Sequence, residues 1–323
     1  MQKIALVLLL SCFTLSGFAQ VRDSITLKTA TGDIYGTLTL PKNKRKVESV
    51  VLIVPGSGPT DRYGNNGIFV SYVLQILSDS LAKHGIASVR YDKRGLAASH
   101  AAVSGESALR FWTYGDDVAD WIRMLHKDKR FKKVFVVGHS EGSLVAMLAL
   151  QKVDAAGFIS VAGAGEPADV TIMRQIHAYP NNPKVLVDSM QLIIDALKKE
   201  GHYSPVPKGI YQRLFRPSVQ GYVASWFMYN PTQEIQKLHL PILIIQGKKD
   251  LQIDTAQAEN LKAAKPDAEL VYIPEMNHIF RDVATNDVHD NMLTYTEDKT
   301  PIDGLFVETV VGFIRRNEKG KRR

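Results

Sequence analysis

The sequence carries a single cysteine, Cys12, in 323 residues. A chain cut after Ala19 would have none, and so could form no disulfide, offer no thiolate nucleophile and build no cysteine-ligated metal site. Long apolar runs are also lacking. The run from Ile4 to Leu10 is soon interrupted by Ser11, Thr14 and Ser16, short of the ~20 residues of a membrane-spanning helix. No later segment is longer. Glycine (23) and proline (14) are too sparse for a collagenous or low-complexity chain, and 45% hydrophobic residues exclude disorder. There is no His-Glu-x-x-His or calcium-loop pattern, and the nine histidines are scattered, so no metal is expected.

The basic excess is small where it would matter. The net charge is +7, but six cations (Arg315, Arg316, Lys319, Lys321, Arg322, Arg323) lie in the last nine residues. A nucleic-acid site needs a basic face on folded elements, so no nucleic-acid partner is expected. The tail reads as a solvated end, at most drawn weakly to anionic lipid or polysaccharide.

The first residues have the three parts of a secretory signal: a basic start at Lys3, the apolar run, and small residues at Gly17 and Ala19. This predicts cleavage after Ala19 and a secreted or periplasmic chain with no integral membrane segment. A second reading is that Leu9-Leu10-Ser11-Cys12 loosely resembles a lipoprotein processing box, although the apolar region before it is unusually short.

Residues 24 to 40 alternate with a two-residue period around Thr31-Gly32-Asp33, which predicts an antiparallel hairpin. From residue 50, short apolar runs alternate with amphipathic stretches, the pattern of parallel strands buried by helices on both faces. The predicted strands are Val50 to Val54, Ile86 to Tyr91, Val134 to Val137, Gly157 to Val161, Ile242 to Ile245 and Glu269 to Ile273. Helices are expected over Val70 to His84, Gly115 to His126, Ser140 to Lys152, Thr255 to Ala264 and Gly304 to Arg315. The long gap between Val161 and Pro241 exceeds a crossover helix and predicts an inserted, mainly helical subdomain.

Gly138-His139-Ser140-Glu141-Gly142 follows a buried strand and opens a helix. A strand that turns this sharply leaves its middle residue strained, and flanking glycines keep Cβ atoms out of the way. The Ser140 hydroxyl then stands at a helix N-terminus whose dipoles favour negative charge. A serine is a poor nucleophile at neutral pH and needs a histidine base oriented by an acid, following it in the order acid, histidine. Asp250 in Gly247-Lys248-Lys249-Asp250 and His278 in Met276-Asn277-His278 each lie just past a predicted strand. The oxyanion donors are expected at the N–H of Glu141 and in Pro55-Gly56-Ser57-Gly58-Pro59-Thr60-Asp61, with Ser57 and Gly58 as candidates.

Each role has rivals. Asp254 reads as a helix N-cap; Asp282 and His289 sit farther along the loop after His278; His139 is expected to point away from the serine and pack. Gly163-Ala164-Gly165-Glu166-Pro167-Ala168 nearly spells a dinucleotide fingerprint, but it comes late and no strand ending in an acidic ribose ligand follows, so no cofactor is expected.

Together these motifs, with Tyr91-Asp92-Lys93-Arg94-Gly95, resemble the α/β-hydrolase superfamily over essentially the whole mature chain. Within it the sequence is similar to secreted bacterial esterases near serine aminopeptidases and monoglyceride lipases. The resemblance implies a mostly parallel sheet with an N-terminal hairpin, a core of residues 20–165 and 241–323 after a signal of 1–19, and a helical cap over 166–240. It implies Ser140 as nucleophile, His278 as base and later acid, Asp250 as orienting carboxylate, and Arg94 in support of the loops at the sheet edge. Leu96-Ala97-Ala98-Ser99 departs from the Gly-x-Ser of many relatives. The expected activity is hydrolysis of a small-molecule carboxylic ester with a short-to-medium acyl or aryl group. A peptidase, with Glu166, Asp169, Glu200 or Glu234 holding a free amine, is the nearest alternative. A thioesterase or a non-catalytic binding protein of the same fold follows.

Overall fold

The computed structural model describes residues 20–42, 47–179, 181–285, 287–296 and 300–318. The expected signal with Cys12, and the tail from Lys319 onward, lie outside them. Eight strands form one sheet: β1 (Val21–Thr29), β2 (Gly32–Leu40), β3 (Ser49–Val54), β4 (Ala87–Tyr91), β5 (Lys133–His139), β6 (Gly157–Val161), β7 (Ile242–Gly247) and β8 (Glu269–Ile273). Their order is β1-β2-β4-β3-β5-β6-β7-β8. β1 and β2 pair antiparallel, β2 joins β4 antiparallel, and every later pairing is parallel. The hairpin turns at Ala30-Thr31, with Thr29 opposite Gly32, slightly earlier than the Thr31-Gly32-Asp33 signal suggests.

The helices are α1 (Val73–Lys83), α2 (Phe111–Lys127), α3 (Glu141–Leu150), α4 (Ala168–His177), α5 (Lys184–Glu200), α6 (Ile210–Phe215), α7 (Gln220–Trp226), α8 (Pro231–Gln236), α9 (Thr255–Ala264), α10 (Val288–Leu293) and α11 (Gly304–Glu318). The apolar strands are explained by burial on two sides. In β3, Val50, Leu52 and Val54 join the core beneath α2 and α3, while Val51 and Ile53 join a second core with α1 and α11. Each such side chain contributes roughly 1.5–3 kcal/mol relative to exposure.

Several boundaries differ from the periodicity for local reasons. β5 runs on to His139 because Gly138 and His139 still pair with Ser160 and Val161 of β6. α2 starts at Phe111, before Gly115, because the Phe111 N–H donates to Ser225 Oγ at 2.8 Å and its ring stacks on Trp226 of α7. α1 starts at Val73, not Val70: Asn65 Oδ1 accepts from the N–H groups of Ser71 and Tyr72, holding that stretch as a loop. The Leu96–Ser99 departure forms a 3₁₀ turn, Ala97–Ala102, in which Ser99 Oγ accepts from the Tyr35 N–H of β2.

Between β6 and β7, every regular element among the described residues is helical, α4 to α8 with a 3₁₀ turn at Pro217–Val219. Met190, Ile193, Ile194, Leu197 and Phe215 bury this segment's inner side in the same core as α2 and α3. Polar ties join it to the rest. Arg216 and Ser218 both donate to Glu106, and Gln175 Nε2 donates to the carbonyl of Gln252 at 3.1 Å.

Candidate active site

Because β3 and β5 to β8 are parallel, the loops that leave their C-terminal ends converge on one edge of the sheet, the usual place for sites in such folds. Ser140 stands between β5 and α3 with φ 54° and ψ −122°, a left-handed conformation rare for a residue with a Cβ. Its N–H donates to the carbonyl of Val161, which anchors the turn to β6. The flanking glycines are steric necessities. A Cβ on Gly138 would lie 2.6 Å from the Gly142 carbonyl oxygen, and one on Gly142 would lie 2.5 Å from the carbonyl oxygens of both Val54 and Pro55. The second pair of contacts presses the elbow directly against the loop after β3.

Asp250 follows β7 and His278 follows β8, and both are buried. His278 Nδ1 lies 2.8 Å from Asp250 Oδ2. A carboxylate only accepts, so the proton of this bond sits on Nδ1 and Nε2 is the ring nitrogen left outside it. The Asp250 carboxylate is filled on all sides: Oδ1 accepts from the N–H groups of Gln252 and Ile253 at 2.8 and 2.9 Å, and Oδ2 also accepts from Gln246 Nε2 at 3.2 Å. The His278 loop is fixed by Asn277, whose Oδ1 accepts from the N–H groups of Ile279 and Arg281 while its Nδ2 donates to Thr294 Oγ1.

His139 does pack, against the rings of His278 and Phe280 at centroid distances of 4.9 and 4.6 Å. It also bonds through Nε2 to the His278 carbonyl oxygen at 2.9 Å. Burial, with the neighbouring His278 adding to it, pushes its pKa down to about 3, so it is neutral and donates that bond.

In the loop after β3, Gly56 sits against the serine: a Cβ there would lie 3.2 Å from Ser140 Cβ. Ser57 and Gly58 beyond it are exposed, and Gly58 has φ 73°. The Gly56 carbonyl accepts from Lys93 Nζ at 2.7 Å. Lys93 is buried, 3.7 Å from Glu141 Oε1 and 5.4 Å from the centre of the Tyr114 ring. Glu141 accepts from the Tyr222 hydroxyl of α7 at 2.9 Å.

The other sequence candidates lie elsewhere. Asp254 caps α9, its Oδ1 accepting from the Gln257 N–H. Asp282 interacts with the Asp303 carboxyl, which with burial raises its pKa to about 6, and it is not the carboxylate on His278. His289 is exposed on α10. Arg94 forks onto Asp117 and donates to Thr31 and to the Ala102 carbonyl, tying the hairpin turn, the 3₁₀ turn and α2 together. Glu166, Asp169 and Glu234 are ion-paired with Arg174, Lys198 and Lys237, and Glu200 lies exposed beside Lys199. Gly163 and Gly165 are explained by packing: Cβ atoms there would lie 2.5 Å from Ser160 Oγ and 2.1 Å from the Gln257 carbonyl. Among the described residues, no group of three or more His, Cys, Asp or Glu is placed to hold a metal ion, and no helix is long and apolar enough to cross a membrane.

Sequence reasoning missed Lys93, Gln246 and the bond of His139. Gln246 left a signal, as the polar residue in the otherwise apolar run Ile242-Leu243-Ile244-Ile245.

The sequence profile of the Alpha/beta hydrolase family matches residues 51–288, a span from β3 to the start of α10 that holds Ser140, Asp250 and His278. The chain belongs to this family. In sequence, the chain is 24% identical over 257 residues to Esterase EstD of Thermotoga maritima, covering 76% of this chain and 57% of that protein. The chain thus spans little more than half the length of that relative. Among solved structures it is similar to Est1E from Butyrivibrio proteoclasticus, with a TM-score of 0.57 and 16% identity over 92% of this chain and 99% of that one. It is also similar to the Pyrococcus horikoshii acylaminoacyl peptidase, with a TM-score of 0.55 and 15% identity over 94% of this chain and 43% of that one. At such identities the likeness to the two structures is one of fold.

Proposed function

We propose that this α/β hydrolase is a secreted or periplasmic serine esterase that cleaves small carboxylic esters through an acyl-Ser140 intermediate. The observation that carries the reading is the 2.8 Å bond between His278 Nδ1 and Asp250, at the sheet edge where Ser140 stands strained on its turn. His278 Nε2 takes the hydroxyl proton as Ser140 Oγ attacks the ester carbonyl carbon, and Asp250 stabilises the resulting imidazolium. The carbonyl oxygen becomes an anion between the N–H groups of Glu141 and Ser57. Ser57 is preferred to Gly58 because Gly56, directly before it, packs against Ser140. Collapse of the tetrahedral intermediate expels the alcohol, which receives the proton from His278. Water then repeats the sequence and frees the acid. No cofactor is required.

Residues 166–240 act as a cap over the acyl pocket, and the aromatic and aliphatic character of that segment suits short-to-medium acyl or aryl groups. The ester reading is favoured over a peptidase because Glu166 and Glu234 are each held by a cation and by a further hydrogen bond, from Thr171 and Gln151. The test is turnover of p-nitrophenyl esters from acetate to decanoate beside aminoacyl-anilides. Esters should be preferred, and Ser140→Ala should lose on the order of 10⁴-fold or more in kcat. Faster anilide turnover would favour the peptidase, and undiminished activity in folded Ser140→Ala would remove the mechanism.

A further inference from the structure

Lys93 lies in the motif Tyr91-Asp92-Lys93-Arg94-Gly95 and plays no part in the reaction described above. Only 4% of it is exposed. Removing an ammonium from water costs several kcal/mol, and a single carboxylate partner seldom returns more than that, so stability alone is a poor reason for it to be here. Its nearest contact is not the carboxylate. Nζ donates to the Gly56 carbonyl oxygen at 2.7 Å, whereas Glu141 Oε1 is 3.7 Å away.

That carbonyl belongs to the same peptide unit as the Ser57 N–H. In a planar trans peptide the C=O and the following N–H point in opposite directions. A group that grips the oxygen therefore aims the N–H the other way. It also polarises the amide, making that N–H a stronger donor. Glu141, the counter-ion, contributes the second oxyanion donor through its own backbone. The ion pair therefore spans both donors: the ammonium holds the peptide of one, and the carboxylate belongs to the residue of the other. The Tyr222 hydroxyl fixes Glu141 from α7, and the Tyr114 ring faces the ammonium.

We propose that Lys93 is a positioning residue for the oxyanion, holding the Gly56–Ser57 peptide so that the Ser57 N–H faces the oxygen that turns negative during attack by Ser140. This rests on the serine-esterase reading. The role is distinct from general stabilisation because it acts when the oxygen is charged, so it should appear in kcat and not in KM.

The test compares wild type, Lys93→Met, Lys93→Arg and Ser140→Ala in p-nitrophenyl acetate hydrolysis and in inhibition by an aryl trifluoromethyl ketone. Ser140 Oγ adds to the ketone carbon, its proton passes to His278 Nε2, and the ketone oxygen becomes the anion at the donors. In Lys93→Met, kcat and ketone affinity should fall together by roughly 10- to 100-fold with KM within about threefold, somewhat less than loss of a direct donor. Lys93→Arg, which keeps charge and donors, should recover part of both. Thermal unfolding establishes which variants fold. If Lys93→Met does not, Lys93→Leu, which likewise has no donor, replaces it with the same expectation. Unchanged ketone affinity in a folded variant overturns the proposal, whatever kcat does. Full activity in Ser140→Ala would instead overturn the serine-esterase reading beneath it.

Discussion

His139 Nε2 lies 2.9 Å from the backbone carbonyl oxygen of His278, across 139 residues of sequence. The residue before the strained serine thus holds the backbone of His278, with the proton of the bond on Nε2. Gly56 closes the same group from the side of β3, so the elbow, the His278 loop and the loop after β3 meet through short-range contacts.

Burial of that imidazole gives the protein an acid sensitivity. The His139 pKa is pushed from 6.5 to about 3 by burial and by His278. Between those values the unfolded chain takes up a proton that the folded chain refuses, so stability is lost as pH falls through this window. Going from pH 7 to 4.5, this residue should remove about 2–3 kcal/mol. His139→Gln keeps an amide donor and has nothing to titrate. Urea unfolding of both proteins at the two pH values should show the larger loss in wild type by that amount. Equal losses would contradict the assignment.

Gln246 Nε2 donates to Asp250 Oδ2 at 3.2 Å and to the Ile253 carbonyl at 2.7 Å. Gln246→Leu should leave the buried Ile253 carbonyl unsatisfied, costing roughly 1–3 kcal/mol. It also frees the carboxylate that orients His278. We expect kcat to fall about tenfold with little change in KM, as for interactions felt in the transition state. Unchanged kcat in the folded variant would make Gln246 purely structural.

Ser140 holds a backbone conformation that glycine adopts more readily than alanine. Ser140→Gly should therefore be more stable than Ser140→Ala by about 1 kcal/mol, while both lose activity. Chemical denaturation of the pair measures this. Equal stability would mean that the turn is not strained.

The parts of the site legible in the sequence were those governed by local rules. Gly138 and Gly142 announced the turn at Ser140 because backbone crowding leaves no other choice there. Asp250 and His278 were located by the ends of apolar strands in a fixed chain order. The contacts of Lys93, Gln246 and His139 were not legible, since each joins residues far apart in the chain: Lys93 reaches back 37 positions to Gly56, and His139 reaches forward 139 to His278. A buried lysine has no periodicity to mark it. Helix starts misjudged at Val73 and Phe111 failed for a related reason, because side chains of Asn65 and Ser225 decide them.

The central claim is that Ser140 is an activated nucleophile. The most direct measurement is fluorophosphonate labelling of the purified protein followed by peptide mass spectrometry, with Ser140→Ala and His278→Ala alongside. The adduct should sit on the peptide containing Ser140, vanish in Ser140→Ala and form far more slowly in His278→Ala. An adduct on another residue, or labelling at the wild-type rate without His278, would contradict the account.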